Sequence, residues 1–210
     1  MNLKTLKNKL RHSALAEAAA SCGPGRKRDE ATRQAILRAA YETLAAEGYS
    51  RFTIEGVAAR AGCAKTTIYR WWPSKGVLAI ESFLPVFDAE TPFPHTASAI
   101  QDLKTHLHLQ AKALSGGDGA ILLQLVAAGL TDPAMRKLYH DRVVVPRRKM
   151  GAQMLARGIE QGELRADTDI EAALDALYGP FYSRFLAGMG PCDEAWVDRL
   201  CDTVLRGLMK

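Results

Sequence analysis

The sequence predicts an all-α protein. Every strong hydrophobic pattern in its 210 residues repeats at helical spacing, and capping residues, glycines and prolines bracket those patterns. No run alternates as a half-buried strand does, and Val143-Val144-Val145 is too short to be one. A composition of 48% hydrophobic and 24% charged residues is that of an ordinary globular chain. No apolar run approaches the ~18 residues of a membrane span. Arg11, His12 and Glu17 interrupt the apolar core that a secretory leader would need, so the chain is expected in the cytoplasm.

Residues 1–22 suit either a short amphipathic helix or a flexible extension, and Gly23-Pro24-Gly25 breaks the chain after them. Residues 1–28 are therefore taken as a flexible basic extension. From about Asp29 to Glu47, Ile36, Leu37, Ala40, Tyr41 and Leu44 fall on one helical stripe, and Gly48 supplies a stop. Thr53 caps a short helix carrying Ile54, Val57 and Ala58, which ends at Gly62. A second short helix spans about Ala64 to Trp71, and Pro73 interrupts it. Ser74 then caps a helix with Val77, Leu78, Ile80 and Phe83. Pro85, Pro92 and Pro94 mark an irregular stretch, and Thr96 caps a helix that runs to Leu114.

A loop at Ser115–Gly119 leads into Ile121–Gly129, apolar on most sides. Asp132-Pro133, a cap followed by the favoured first-turn proline, opens a long helix that Pro146 should kink or divide and that ends near Gly162. Thr168 and Glu171 have capping-box spacing ahead of Ile170, Leu174, Leu177, Tyr178, Phe181 and Phe185, with a kink near Gly179-Pro180. The last helix follows Pro191 and carries Trp196, Val197, Leu200, Cys201, Val204, Leu205 and Leu208.

Charge separates the two ends. Residues 1–80 hold 14 Lys+Arg against 6 Asp+Glu, a net of +8, and residues 81–210 hold 14 against 17, a net of −3. A basic first third points to a polyanionic partner. Cys22, Cys63, Cys192 and Cys201 form no C-x-x-C pair and have no His at zinc spacing, so they read as isolated reduced thiols. His106 and His108 lie two apart on one helix and face different ways, which is not a metal pair. No cofactor is called for. With no G-x-S-x-G, H-E-x-x-H, phosphate loop or carboxylate–His cluster, nothing predicts an enzyme.

Thr53–Lys75, TIEGVAARAGCAKTTIYRWWPSK, carries the chemistry. Two short helices joined at Gly62-Cys63 match a helix-turn-helix: Ala58 is small where the helices cross, and Gly62 accepts a left-handed turn. Lys65, Thr66, Thr67 and Tyr69 begin the second helix, the part that meets base edges and phosphates in the major groove. The longer segment AAEGYSRFTIEGVAARAGCAKTTIYRWWPSKGVL resembles the DNA-binding signature of the TetR family of regulators over roughly residues 30–80. The register covers Gly48, Phe52-Thr53, Val57-Ala58, Ala61-Gly62, Thr67-Ile68-Tyr69 and Pro73-Ser74-Lys75.

The resemblance implies a three-helix DNA-binding domain at residues 29–74 and an effector-binding and dimerisation domain at residues 75–210. It places Thr53, Tyr69 and Lys75 on phosphates and Lys65, Thr66 and Thr67 in the groove. Trp71 fits two roles, lying along the DNA backbone or covering the core, and is counted among the DNA-facing residues; Trp72 reads as core. Arg26, Lys27 and Arg28 suit either an arm in the minor groove or a solvated linker, and the DNA role is adopted.

Beyond residue 85, DPAMRKLYHDRVVVPRRKM and the segment through Gly179-Pro180 look like one common sensor subtype. The resemblance implies a homodimer joined through the last two helices, and their broad apolar faces, Leu174, Leu177, Phe181, Phe185, Trp196, Val197, Leu200, Val204 and Leu205, agree. Such a dimer would read a palindromic operator in double-stranded DNA with two helices about one DNA turn apart. An effector pocket would draw on Phe83, Phe87, Leu107, Leu122, Val126, Met150, Met154, Tyr178, Phe181 and Tyr182, which favours a small apolar or aromatic molecule. Arg147 and Arg148 fit an anionic ligand or plain solvated surface. The alternative is a helix-turn-helix protein that binds DNA with no small-molecule ligand.

Overall fold

Short polar side chains and glycines set where most of the helices start or stop. The computed structural model describes residues 24–209, with side chains from residue 30 onward. Helix α1 covers Pro24–Arg51 and is broken at Gly48, whose φ of 75° and ψ of 168° suit glycine alone. At that break the Tyr49 amide donates to Gln124 Oε1 at 2.6 Å, and a Cβ on Gly48 would collide with the same oxygen. The expected stop is therefore an interruption, after which one more turn precedes Phe52. Because α1 begins at Pro24, Arg26, Lys27 and Arg28 lie in a helix rather than an extended arm; their side chains, and residues 1–22, lie outside the described residues.

Thr53 Oγ1 accepts the Gly56 amide at 3.1 Å and opens α2, Ile54–Ala61, and Gly62 closes it in the left-handed region at φ 66°. Helix α3, Lys65–Tyr69, follows without a side-chain cap, and the Trp71 and Trp72 amides both return to the Ile68 carbonyl. Ser74 Oγ accepts the Val77 amide ahead of α4, Lys75–Glu90. Helix α4 runs straight through Pro85, which the sequence reading placed in an irregular stretch.

Helix α5 is Ala99–Leu114, capped by Ser98 in place of the expected Thr96. The Thr96 amide and hydroxyl instead both donate to the buried Asp102 carboxylate, at 2.7 Å each. Helix α6, Gly117–Thr131, absorbs part of the expected loop. The α6 backbone packs against the end of α5 at Gly119, where a Cβ would run into the Leu114 carbonyl. A neighbouring main chain cannot step aside as a side chain can, so Gly119→Ala should cost about 1–3 kcal/mol, read as a lower urea midpoint at unchanged slope.

Asp132 Oδ1 accepts the Ala134 and Met135 amides at 2.9 and 3.2 Å and starts α7, Pro133–Tyr139. A π-helical turn, His140–Val144, runs on into α8, Val145–Glu160. That turn lies directly before Pro146, which lacks an amide proton and crowds the carbonyl four residues back, so the division expected there takes this form. Helix α9, Ile170–Ala187, is capped by Asp169 rather than Thr168, and α10, Glu194–Leu208, by Asp193. Counting α7, the π-helical turn and α8 as one element, the described residues form nine helices and no strand, only an isolated bridge between Leu164 and Met209. No single helix among them is long and apolar enough to cross a membrane.

The chain forms two compact units. The first holds the residues up to Ala89 together with Gln124–Tyr139, and the second holds Glu90–Leu123 and the residues from His140 onward. The expected boundary after residue 74 falls inside the first unit. Its core gathers Ile36, Leu44, Phe52, Val57, Ile68, Trp72, Leu78 and Phe83; that of the second gathers Leu103, Leu107, Leu155, Leu174, Leu177, Phe181, Val197 and Cys201.

Candidate nucleic-acid interface and effector region

Ile68 and Trp72 hold α3 in place. Both are fully buried, and the Trp72 indole N–H donates to Glu81 Oε2 at 2.9 Å, where Arg33 also approaches that carboxylate. With one face pinned, α3 turns Lys65, Thr66 and Tyr69 outward, and Thr67 is partly covered. Tyr69 is 52% exposed, a high value for a large aromatic ring with no covering element. Thr53 is also exposed, although its hydroxyl is already engaged as the α2 cap. Trp71 is half-buried, edge-on to Trp72 at 5.5 Å, while Trp72 is core as expected.

Two charged details were not legible in the sequence. Lys65 Nζ donates to Glu55 Oε1 at 2.9 Å, across the two helices of the motif. The Lys65 hydrogen bond holds the Glu55 carboxyl below the usual glutamate range, and Glu55 in turn raises the lysine. Only the packing of α2 against α3 brings residues ten apart together. Lys75 Nζ lies 4.8 Å over the Tyr49 ring, a cation–π contact that leaves the ammonium exposed at the start of α4.

The residues expected to line an effector pocket divide between the two units. Phe83, Phe87 and Val126 belong to the first, where Phe83 and Phe87 stack at 5.3 Å. Leu107, Leu122, Met154, Tyr178, Phe181 and Tyr182 belong to the second. Met150 is 45% exposed. In the second unit the Tyr178 ring approaches His106 at 5.9 Å, and Phe93 stacks on His106 at 3.9 Å. Arg147 lies over Phe93, while Arg148 spans Glu171 and Asp175 on the surface. His106 Nδ1 bonds the Pro92 carbonyl and His108 Nε2 bonds Asp198, so the two histidines serve different faces.

The dimerisation residues also need correction. Leu174, Leu177, Phe181, Val197 and Leu205 are at most 1% exposed within one chain, so they are spent on the subunit core. Phe185, Trp196, Leu200 and Val204 keep partial exposure, and Leu186 and Met189, missed in the sequence, are 50% and 59% exposed. A groove of about 360 Å³ runs among Pro180, Met189, Trp196, Leu200 and Thr203 on the α9/α10 face.

Comparison with known proteins agrees with this geometry. The model of bacterial regulatory proteins of the tetR family matches residues 36–81, and that of the tetracyclin repressor-like C-terminal domain matches residues 93–204. The chain belongs to the TetR family. It is 36% identical over 184 residues to the HTH-type transcriptional regulator YdeS of Bacillus subtilis (strain 168), covering 88% of this chain and 93% of that one. It is 29% identical to the DNA-binding transcriptional repressor TetR of Mycobacteroides abscessus, over 87% and 96% of the two chains. Among solved structures, the TetR family transcription regulator SCO0332 superposes with a TM-score of 0.75 at 33% identity, over 85% of this chain and 99% of that chain. This TetR-family member is thus a transcriptional regulator, with the helix-turn-helix inside the matched N-terminal segment.

Proposed function

We propose that this TetR-family regulator is a cytoplasmic repressor that binds a palindromic operator as a homodimer and leaves it when a small molecule enters the second unit. One observation carries the DNA half of this reading: α3 is anchored by Ile68 and Trp72 while Lys65, Thr66 and Tyr69 stand outward. A helix so held enters a groove without reorganising, so little ordering entropy opposes binding. Thr53, Thr67, Tyr69 and Lys75 then serve as phosphate and groove contacts, with Trp71 at the edge of the footprint and residues 26–28 reaching beyond it. The exposed part of the α9/α10 face, Phe185, Leu186, Met189, Trp196, Leu200 and Val204, joins the two subunits. Arg148, held by two carboxylates, takes no part in ligand binding.

The test is binding to DNA from around the gene that encodes the protein, measured across a salt series. Log affinity should fall steeply with log salt, and Lys75→Ala should flatten that slope by about one. An unchanged slope removes Lys75 from the interface, and no affinity for any fragment at low salt ends the reading. Thr67→Ala should leave the slope as it is and alter the preference among operator variants, because a hydroxyl near base edges carries sequence information and no charge.

A further inference from the structure

The cations around the helix-turn-helix are not all held alike. Lys65 pairs with Glu55, and Arg60 with Glu42 and Glu47, so an anion already answers each of those charges. Lys75, exposed at the start of α4, pairs with no carboxylate among the described residues. Its ammonium lies instead over the face of Tyr49, 4.8 Å from the ring centroid. An aromatic face attracts a cation through its quadrupole and leaves the charge in place, so the ammonium is oriented without being neutralised. Burial first, and then the charge of Asp132, push the Tyr49 phenol up, so this seat is itself uncharged at physiological pH.

Tyr49 is fixed from a distant part of the sequence that lies in the same compact unit. It directly follows the non-helical Gly48, so the short turn that carries it takes its direction from that break. Gln124 Oε1 accepts the Tyr49 amide proton at 2.6 Å, and Met135 Sδ lies 3.6 Å from the Tyr49 hydroxyl. The Gln124 carboxamide fills the place where a Cβ of residue 48 would stand, flush against the break. Gly76, next to Lys75, closes the group: a Cβ there would meet Met135 Sδ at 3.0 Å and Tyr49 Oη at 3.4 Å. The end of α1, the start of α4 and the segment from Gln124 to Met135 thus meet around one tyrosine.

A lysine that grips a phosphate gives up rotamer freedom, and a side chain already held near its binding direction gives up less. Because the Lys75 ammonium is exposed, a phosphate can reach it while it stays over the ring. We infer that Gln124 and Tyr49 are positioning residues for DNA binding: Gln124 fixes Tyr49 beside the break in α1, and the Tyr49 ring holds the Lys75 ammonium ready for a phosphate. This rests on the DNA-binding reading above and adds two residues that act through Lys75.

The test measures the affinity of the full chain, at one low salt concentration, for the tightest-binding DNA fragment from around its own gene. Gln124→Met keeps the length of the side chain and removes the acceptor, while Tyr49→Leu removes the ring face and keeps the amide. Each should weaken binding about three- to tenfold, the cost of ordering one long side chain. In a Lys75→Ala background the same changes should alter affinity less than twofold, because no ammonium is left to position. Tyr49→Phe keeps the ring and should bind as the wild type does. Far-ultraviolet circular dichroism checks the fold of each variant at the assay temperature, and if one variant does not fold the other decides. Gln124→Met and Tyr49→Leu that bind like the wild type overturn the inference. So do losses that persist in full beside Lys75→Ala, which would mark contacts that support the fold alone, and so does a loss in Tyr49→Phe equal to that in Tyr49→Leu. A salt slope unchanged by Lys75→Ala takes the inference with it while DNA binding itself stands; no binding to any fragment ends both.

Discussion

Arg157→Ala is expected to remove about 3–5 kcal/mol of stability, the usual cost of stripping a buried charge of its partner. Arg157 forms an ion pair with Asp102, and their side chains are 13% and 2% exposed. Burial alone would push the Asp102 carboxyl up, but the Thr96 amide and hydroxyl and the Arg157 guanidinium outweigh it and hold it below the ordinary aspartate value. Without Arg157 the carboxylate keeps the burial and loses its strongest counter-charge. Urea unfolding at pH 7 should show the loss as a lower midpoint. The sign with pH follows from the lowered folded-state value: the Asp102 contribution is fully present above the ordinary aspartate pKa of about 3.9 and fades as pH falls through and below it. Wild type and variant should therefore differ most near neutrality and converge in acid. A gap that stays constant from pH 7 to pH 3 would show that the charge of Asp102 is not what Arg157 answers.

Leu200→Asp combined with Val204→Asp should convert the dimer to monomers and lower operator affinity by about 10³-fold or more, since one recognition helix reads only half the site. Both residues keep partial exposure, so aspartate reaches solvent in an isolated subunit and should leave its fold intact. Two carboxylates per subunit carried into the face around Trp196 and Met189 lose water there, which opposes association. Sedimentation velocity reads the assembly state and far-ultraviolet circular dichroism the fold. A folded protein that still sediments as a dimer places the interface elsewhere.

Much of the architecture could be read from side-chain spacing, because helices are local structures whose ends are set by local chemistry. Thr53, Gly62, Ser74 and Asp132-Pro133 act where their spacing puts them. The misread ends have tertiary causes. Thr96 is an adequate cap by type, but Asp102 draws its hydroxyl away and Ser98 takes the position. Thr168 yields to Asp169 at the start of α9, and Glu171 is taken up by Arg148 from α8 instead of closing a capping box. Pro85 reads as a breaker, yet it lies inside α4, and the burial of the adjacent Val86 and Phe87 offsets the lost hydrogen bond and the crowding of the preceding turn.

The site divided in the same way. The helix-turn-helix was visible because its turn, its cap and its buried isoleucine lie within a short stretch of sequence. The face proposed for a second subunit was only half visible, because a helical stripe reports that a side chain avoids water without saying whether its own chain or another covers it. Leu177 and Leu200 look alike in the sequence, and only the packing of α9 on α10 separates the fully buried one from the partly exposed one. The contacts from Gln124 through Tyr49 to Lys75 had no sequence signal, since they exist only once the chain is folded.

With Lys65 in the groove as proposed, the Glu55–Lys65 pair bears on how the protein searches a chromosome. A lysine that already has a tethered anion gains little from each random phosphate it passes, so it adds little grip while the protein slides along unrelated sequence. Where the bases fit and α3 seats fully, the ammonium can exchange its carboxylate for the DNA, and the displaced Glu55 is then set against any edge that offers no donor. In the proposed DNA complex the acidic residue would make the reading head less adhesive and more discriminating, trading dwell time on the wrong site for contrast at the right one.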